Sequence, residues 1–375
     1  MNPRKLKVCI LTSVHTLFDV RIFYNQARSL VGAGYKVSMI VQSDRQRGSL
    51  LKGVTIIPLT RAPNAFYRFT RTIWEVWRNA VKEKADVYHF HDPELIPVGI
   101  LLRLRGNKVI YDIHQDVAQL ISKKRWLLLP QVASFLYRVM ESTLCRFFPL
   151  VLADASFSKL YPAGLKKVVV QNFPQLSLFP EIFPEDKHEQ SLVYLGAVTR
   201  FRGIHIVLEA LYLLKQKGRR VHMECIGELE GSYRIELQFQ CAKLGLGDQI
   251  RFHGRLKAAE AYRIAAKCAA GIAIIQPGSS YAESYPSQLL DYMALQLPLI
   301  TSNFPLFSQM IHDADCGIVV NPQEPKALAE AIRFILDYPE EGERMGENGR
   351  IAVESRYNWL HEEAKLLSFY KDVIS

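Results

Sequence analysis

The chain has 375 residues, 49% of them hydrophobic, which is enough to bury two ordinary cores and predicts two domains. Its six cysteines are scattered without a CxxC pair, so neither a zinc site nor a disulfide framework is indicated, and reduced thiols in a cytosolic compartment are expected. No apolar run reaches the ~18 residues that span a bilayer, and the N-terminus does not resemble a signal peptide, so a soluble or peripheral protein is expected.

The net charge of +10 is distributed unevenly along the chain. Residues 1–172 contain 26 lysines and arginines against 11 aspartates and glutamates, a net charge of +15, whereas residues 173–375 contain 21 against 26, a net charge of −5. A polyanionic surface that faces only the first half is therefore expected. No RRM, KH, zinc-finger or recognition-helix signature accompanies the charge, so nucleic acid is not the predicted partner.

The first half alternates short apolar runs with helical patterns. A helix closed by glycine is predicted over residues 20–34, and a longer helix over 64–84. Buried strands that alternate with helices indicate a parallel sheet covered on both faces. The predicted strands are 7–13, 36–41, 54–59, 86–91, 108–114, 149–153 and 167–171.

The same pattern restarts after residues 173–190, a predicted linker that contains three prolines and has no periodicity. The predicted strands of the second half are 191–196, 221–227, 249–254, 268–275, 297–302 and 317–320, and its last predicted helices are 325–337, 340–356 and 358–374. The sequence therefore predicts an α/β protein with two Rossmann-like domains, at 1–172 and 191–356.

Ligands of such folds bind beyond the carboxyl ends of the strands. No GxGxxG follows the first strand and no GxxxxGK[ST] occurs, so a dinucleotide dehydrogenase is disfavoured and a P-loop NTPase is excluded. Histidines follow three strands instead, at His15, at His89 with His91, and at His114. One such histidine is more often structural, but several at one edge favour a site, because imidazole titrates near neutral pH. Their spacing matches no recognised metal site, and no metal is predicted.

Two acids flank the predicted start of a helix near Pro286. Glu283 precedes it and Asp291 lies two turns inside it. At about 1.5 Å per residue, the two carboxylates are too far apart to share a proton. The spacing suits the two ends of an elongated anionic ligand, while two solvated acids at a helix start remain an equally consistent interpretation.

Six segments, in order along nearly the whole chain, resemble the retaining glycosyltransferases of family 4, which have the GT-B fold. They are HTLFDVRIFYNQARSL (15–30), HFHDPELIPVG (89–99), YDIHQD (111–116), YLGAVTRFRGI (194–204), RFHGRL (251–256) and SYPSQLLDYMALQLPLITS (284–302). The resemblance implies two Rossmann-like domains facing each other across a cleft. It also implies that the C-terminal helix, 357–375, packs back on the first domain.

The resemblance assigns the donor side to the second domain. Glu283 and Asp291 match the family's Glu-x7-Glu element, in which the first acid faces the donor sugar and the second binds the ribose. Arg202 matches the basic residue that neutralises the departing diphosphate, with Arg200 as a neighbouring candidate. Helix-start amides would face the same diphosphate. The other donor-binding candidates are Gly196, Leu256, Ser284, Tyr285, Ser287 and Gln288.

The resemblance assigns the acceptor side to the first domain. His114 matches the family's active-site histidine, which would hydrogen-bond the donor sugar, and it joins Glu283 and Arg202 as a catalytic candidate. His15, Asp19 and Arg21 are expected to meet the acceptor, with His91 in support. The family needs no bound metal, so the expected small molecule is a UDP- or GDP-sugar substrate and no cofactor.

Three positions depart from the family pattern. Ala197 stands where many relatives have a second basic residue, Gln288 replaces a common lysine, and Asp291 shortens the ribose-binding acid. A non-catalytic GT-B scaffold that partners another glycosyltransferase is therefore an alternative, and a nucleotide-sugar epimerase is a further one.

Two stretches of the basic half indicate a membrane surface. Read as a helix, residues 64–84 place an apolar stripe opposite a basic face, and residues 123–130 place three cations before Trp126 and three leucines. The stripe is formed by Phe66, Phe69, Ile73, Val76, Trp77 and Ala80. The stripe is equally consistent with a buried core face.

Together these features predict a metal-independent, retaining hexosyltransferase of bacterial capsule, O-antigen, lipopolysaccharide or exopolysaccharide assembly. Its expected partners are a nucleotide sugar, a saccharide or polyprenyl-diphosphate-linked acceptor and an anionic membrane surface. Its expected location is the cytoplasmic face of the cell membrane.

Overall fold

The computed structural model describes residues 5–124, 127–181, 188–229, 231–278 and 285–375. The chain divides into two compact units, one of Met1–Asn172 with Leu360–Ser375 and the other of Phe173–Trp359. Both are α/β units built on a predominantly parallel sheet, as the sequence predicts. Candidate residues Glu283 and Ser284, and the membrane candidates Arg125 and Trp126, lie outside the described residues.

An eight-stranded sheet forms the first unit, in the order β3-β4-β2-β1-β5-β6-β7-β8. Only the β3–β4 pair is antiparallel. The strands are β1 Lys7–Thr16, β2 Lys36–Gln42, β3 Ser49–Leu51, β4 Val54–Leu59, β5 Val87–Phe90, β6 Lys108–Ile113, β7 Leu150–Leu152 and β8 Lys167–Val169. Their central residues are buried, because helices cover both faces of a parallel sheet.

The helices of the first unit are α1 Arg28–Gly32, α2 Ala65–Tyr67, α3 Ile73–Glu83, α4 Ile96–Leu104, α5 Val117–Ser122 and α6 Pro130–Leu144. A π-helical turn, Val20–Ala27, leads into α1, and another, Arg68–Thr72, joins α2 to α3. The predicted helix at 64–84 is thus three successive helical segments. The sequence analysis did not predict α6.

The apolar stripe predicted at 64–84 divides between core and surface. Val76 and Ala80 of α3 are buried in the core of the first unit, so the core interpretation is correct there. Phe66 and Phe69 are exposed. Trp74, which the predicted stripe left out, is exposed as well.

A six-stranded parallel sheet forms the second unit, in the order β11-β10-β9-β12-β13-β14. Its strands are β9 His188–Leu195, β10 His222–Ile226, β11 Ile250–Gly254, β12 Cys268–Ala273, β13 Leu299–Ser302 and β14 Gly317–Val320. Its helices are α7 Ile204–Gln216, α8 Gly231–Lys243, α9 Ala258–Ala265, α10 Ser287–Ala294, α11 Pro305–Ala314, α12 Pro325–Asp337 and α13 Pro339–Ser355. Strand β9 begins inside the segment that the sequence predicted as linker.

The last helix, α14 Trp359–Ile374, belongs to the first unit from Leu360 onward. A carboxylate oxygen of Glu362 accepts a hydrogen bond from the backbone N–H of Gln171 at 2.7 Å, and the hydroxyl of Tyr370 lies 2.7 Å from His89 Nδ1. The expected return of the C-terminal helix to the first domain is confirmed. None of the described helices combines the length and apolar content that crossing a bilayer requires.

Candidate active-site residues

The three predicted histidine positions meet at one edge of the first sheet. Strands β1, β5 and β6 are neighbours in register, with Leu11 opposite Phe90 and Phe90 opposite Tyr111. His91 and His114 follow β5 and β6, and His15 lies near the end of β1. The His114 ring centroid is 5.0 Å from that of His15 and 5.0 Å from that of His91.

A buried carboxylate, Asp112, lies beneath the histidines. Its Oδ1 atom is 3.3 Å from His114 Nε2, and both its oxygens accept from Arg21 Nη2, at 3.0 and 3.1 Å. Burial by itself would raise the pKa of Asp112, but the charge of Arg21 and the hydrogen bond with His114 hold it well below its usual range. Asp112 was not predicted as a site residue, although an extended strand places residues 112 and 114 on the same face.

The ionised Asp112 determines how His114 presents its ring. An adjacent carboxylate favours a proton on Nε2, the nitrogen that also lies 2.9 Å from His91 Nδ1. His91 is neutral, because burial lowers the pKa of its imidazole well below the usual value.

His15 has the opposite electrostatic environment. Its Nδ1 atom lies 3.0 Å from Asp92 Oδ1. Burial lowers the pKa of His15, but the hydrogen bond to Asp92 and the charges of Asp92, Asp19 and Asp112 outweigh burial, so the net pKa is raised. Asp92 also accepts from the backbone N–H of Ser13 at 2.6 Å, which fixes this loop.

A cavity of about 530 Å³ opens beside the histidines. Its lining is amphipathic, with charged groups next to aromatic and aliphatic side chains. The lining includes His15, Phe69, His91, His114, Lys124, Tyr137 and Met140. Such a cavity is large enough for a monosaccharide unit.

Of the acceptor-side candidates in the first loop, one is buried, and the role of another stays a prediction. Arg21 is buried, and besides Asp112 it donates to the carbonyl of Val170 at 2.7 Å, so it acts on the site only through Asp112. Asp19 caps the helical turn that begins at Val20, accepting from the backbone N–H of Ile22 at 2.9 Å.

One group of described residues places potential metal ligands close together. Atoms of His89, His91 and Asp112 lie within 4.8 Å of one another. The guanidinium of Arg21 already binds the carboxylate, and Tyr370 binds His89. These contacts fit a metal poorly, because a cation would face the Arg21 charge.

In the second unit, strands β9 and β10 are each followed by a glycine, and the two glycines lie in close backbone contact. Gly196 and Gly227 follow these strands with φ of +125° and +156°. A Cβ on Gly227 would lie 1.7 Å from the carbonyl oxygen of Gly196, so no side chain fits there. The helical turn Arg200–Arg202 then leads through Gly203 into α7.

Tyr292 fixes helix α10 against the sheet of the second unit. Its ring packs where a Cβ on Gly271 would come within 2.4 Å, and its hydroxyl donates to the carbonyl of Ile272 at 3.1 Å. Pro286 at the helix start provides no side-chain cap, and the N–H of Leu289 donates to the Pro286 carbonyl at 3.1 Å, so the amides of Ser287 and Gln288 are the candidates to face a ligand. Ser287 is exposed at this turn.

The two arginine candidates differ. Arg202 Nη1 donates to Oε1 of Gln288, in the first turn of α10, at 3.0 Å. The guanidinium therefore lies beside the helix start, where both favour an anion. Arg200 instead pairs with Glu236 and lies 5.5 Å from the Tyr233 ring centroid, with its side chain 65% exposed.

Asp291 is half-buried on α10 and hydrogen-bonds Tyr262. Burial raises its pKa to about 7, although the bond to Tyr262 opposes the shift. Leu256 packs against the same apolar cluster as Tyr262. Tyr285 has its ring centroid 6.1 Å from that of Phe173.

Family comparisons agree with this architecture. The family model for glycosyl transferases group 1 matches residues 178–352, and the glycosyl transferase 4-like domain matches residues 20–156. D-rhamnosyltransferase WbpZ of Pseudomonas aeruginosa is 28% identical over 45% of this chain and 40% of its own length. O-antigen chain mannosyltransferase C of Escherichia coli is 22% identical over 78% of this chain and 77% of its own length. The chain spans less than half of the first of these relatives.

Solved structures show the same fold. Sucrose-phosphate synthase from Thermosynechococcus elongatus superposes with a TM-score of 0.78, at 17% identity over 98% of this chain and 99% of that one. Anabaena HepE, in complex with UDP-glucose, superposes with a TM-score of 0.73, at 14% identity over 98% and 100%. With two glycosyl transferase family models that together cover most of its length, this chain belongs to the glycosyltransferases and has the GT-B fold.

Proposed function

We propose that this protein transfers a hexosyl residue from a UDP- or GDP-sugar to a saccharide acceptor, with retention at the anomeric carbon and without a bound metal. The observation that carries the proposal is the 3.0 Å hydrogen bond between Arg202 and Gln288. It holds a cation beside the available amides of α10, an arrangement that suits a nucleoside diphosphate.

The departing diphosphate gains negative charge as its bond to the anomeric carbon breaks. Arg202 and the α10 amides stabilise that charge, which is expected to be the largest catalytic contribution. The bond from the acceptor oxygen to the anomeric carbon forms on the same face. The acceptor proton passes to the leaving phosphate oxygen, so no separate base is required.

His114 is proposed to hydrogen-bond the donor sugar. Asp112 keeps its Nε2 protonated and its ring orientation fixed, while His91 stays neutral behind it. Glu283 is proposed to face the donor sugar and Asp291 the ribose, as the family resemblance implies. His15 is proposed to meet the acceptor in the adjoining cavity.

The proposed biological setting is bacterial capsule, O-antigen or exopolysaccharide assembly. The acceptor is proposed to be lipid-linked, with the protein peripheral on the cytoplasmic face of the membrane. The +15 charge of residues 1–172 supports attraction to an anionic lipid surface.

Thermal-shift measurements with UDP, GDP and their sugars test donor binding, because a ligand that binds only the folded state raises its stability. Stabilisation by one nucleotide class is expected. No stabilisation by any of them would favour the non-catalytic scaffold. Conversion of the donor without an acceptor would favour the epimerase.

Arg202→Ala and Arg200→Ala form a matched pair, because both arginines lie in one turn. Arg202→Ala is expected to lower kcat by roughly 10²–10³-fold, as for loss of one preorganised donor. Arg200→Ala is expected to retain turnover within about twofold, since Glu236 binds its guanidinium at an exposed position. Equal turnover in both variants would contradict the assignment of Arg202.

A further inference from the structure

Helix α6 presents its apolar side chains to solvent. Its one fully buried side chain is Glu141, whereas five large apolar residues are exposed. Their spacing of three, one, three and one residues is that of a single helix face. They are Val132, Phe135, Leu136, Val139 and Met140.

The buried carboxylate explains how such a helix is held. Glu141 accepts hydrogen bonds from the hydroxyls of Tyr111 at 2.9 Å, Tyr137 at 3.2 Å and Tyr161 at 3.1 Å. Tyr111 belongs to β6, so this polar cluster ties α6 to the sheet. The helix is thereby fixed with its apolar face outward.

The exposed face continues beyond the helix. Leu128, with 99% of its surface exposed, and Leu129 precede α6, and Leu120 of α5 is exposed as well. Met140 and Phe69 both line the cavity beside His114 while remaining exposed. The apolar face therefore reaches the rim of the proposed acceptor cavity.

The surrounding charge decides between possible occupants. Lys123 and Lys124 precede the apolar face in the chain and Arg146 follows it, and all three are exposed. Two copies of a chain whose residues 1–172 carry a net charge of +15 would repel each other across such a face, whereas an anionic lipid surface would attract it. A 15-residue helix of this composition suits the plane of the interface.

We propose that α6 lies in the headgroup region of an anionic membrane, with Phe135, Leu136 and Val139 inserted between the lipids and the cavity opening beside it. A lipid-linked acceptor would then enter the cavity without leaving the membrane. This inference rests on the membrane association proposed above and identifies the element responsible. It does not depend on the assignment of Arg202.

Vesicle sedimentation tests the proposal with a matched pair of double variants. Phe135→Ser with Leu136→Ser removes two residues of the α6 face. Ile235→Ser with Phe239→Ser removes two equally exposed residues of α8 in the second unit, each 71% exposed. On phosphatidylglycerol–phosphatidylcholine vesicles, the α6 variant is expected to bind at least tenfold more weakly than wild type. The α8 variant is expected to bind within twofold of wild type.

A fluorescence measurement locates the inserted residue directly. In Phe135→Trp, brominated lipids are expected to quench the fluorescence of the added tryptophan. In Phe239→Trp, they are expected to leave the fluorescence of the added tryptophan unquenched. Circular dichroism and nucleotide-induced thermal shifts establish that each variant is folded.

If the α6 variant binds vesicles as tightly as wild type, the proposed role of α6 is wrong, although the protein still associates with membranes. Failure of the wild-type protein to bind anionic vesicles would overturn both. A wild-type dimer that the α6 variant converts to monomer would also overturn the proposal, because the occupant would then be a second copy. The turnover of the Arg202→Ala variant tests the proposed sugar transfer independently of these three outcomes.

Discussion

The guanidinium of Arg202 donates to Oε1 of Gln288 at 3.0 Å, and the Nε2 atom of the same buried amide lies 2.9 Å from the hydroxyl of Tyr292. Gln288 thus connects the proposed diphosphate-binding arginine to the residue that seats α10. The position is a common lysine in the family that the sequence resembles. Here its amide positions the cation and adds no second charge.

Gln288→Leu is expected to lower kcat by about 10–100-fold, because a hydrogen bond to a charged group contributes roughly 1.5–3 kcal/mol. Gln288→Glu retains an acceptor for Arg202 and is expected to recover most of that loss. Steady-state kinetics with the cognate donor distinguish the two variants. Equally impaired variants would indicate that the site needs the amide for a purpose other than holding Arg202.

The raised pKa of Asp291 makes donor binding sensitive to pH. Its pKa is about 7, so the carboxylate that is proposed to accept the ribose hydroxyls is largely protonated at pH 6 and ionised at pH 8. Donor affinity is expected to rise by up to about tenfold over that range, following the ionised fraction. Calorimetry should use the intact nucleotide sugar, because a terminal phosphate itself titrates near pH 6.

Tyr262→Phe provides the control for this titration. The Tyr262 hydroxyl lowers the pKa of Asp291, so its removal is expected to move the affinity midpoint to higher pH. Asp291→Asn should weaken binding and abolish the pH dependence. An unchanged midpoint in Tyr262→Phe would show that another group controls the titration.

The strands were predictable from sequence because both faces of a parallel sheet are apolar. Residues 54–59 and 317–320 match the observed strands at both ends. The convergence of His15, His91 and His114 followed from the rule that carboxyl ends of parallel strands share an edge. These inferences need only local composition and the order of elements.

Partners that are distant in sequence could not be predicted. Tyr370 binds His89 across 281 positions, and nothing in the C-terminal helix distinguishes that tyrosine. The family resemblance placed Arg21 at the acceptor, but its side chain is buried against Asp112, which lies 91 positions away in the sequence. Helix α6 has the apolar spacing of a helix, but the outward orientation of its apolar face was not predictable. A helical apolar stripe normally indicates a buried face, and here the buried residue is Glu141.

The neutral buried histidines predict acid sensitivity. Burial lowers the pKa of His89 to about 4, so the unfolded chain, with a pKa near 6.5, binds the proton more readily. Stability should therefore fall as the pH drops from 7 to 5, by about 2 kcal/mol from His89 alone. The lowered pKa of His91 also reduces stability as the pH drops, whereas the raised pKa of His15 increases it. The lowered pKa of Asp112 changes stability only at lower pH.

Urea denaturation at pH 7 and pH 5 measures this effect. His89→Gln keeps a group that can bond Tyr370 but does not titrate, so its stability difference between the two pH values should be smaller by about 2 kcal/mol. An identical pH dependence in wild type and variant would mean that folding does not shift the pKa of His89.

Glu141 gives a prediction of opposite sign. Burial raises the pKa of this carboxyl, although the three tyrosine hydroxyls oppose the shift. The pKa of Glu141 is therefore higher in the folded than in the unfolded chain. Its contribution to the free energy of unfolding is fully present below the unfolded-state pKa and is lost as the pH rises through the folded-state pKa. Glu141→Gln removes the charge while retaining a carbonyl acceptor. It is therefore expected to be at least as stable as wild type at pH 7, with the difference moving in favour of wild type towards pH 4.

Glu141→Leu separates the hydrogen bonds from the charge. It leaves the hydroxyls of Tyr111, Tyr137 and Tyr161 without their acceptor, and each unsatisfied group costs about 1–3 kcal/mol. Denaturation at pH 7 should therefore rank Glu141→Gln at or above wild type and Glu141→Leu well below both. A leucine variant as stable as wild type would show that the tyrosines find other partners and that Glu141 does not anchor α6. In that case the outward orientation of the apolar face would need another cause.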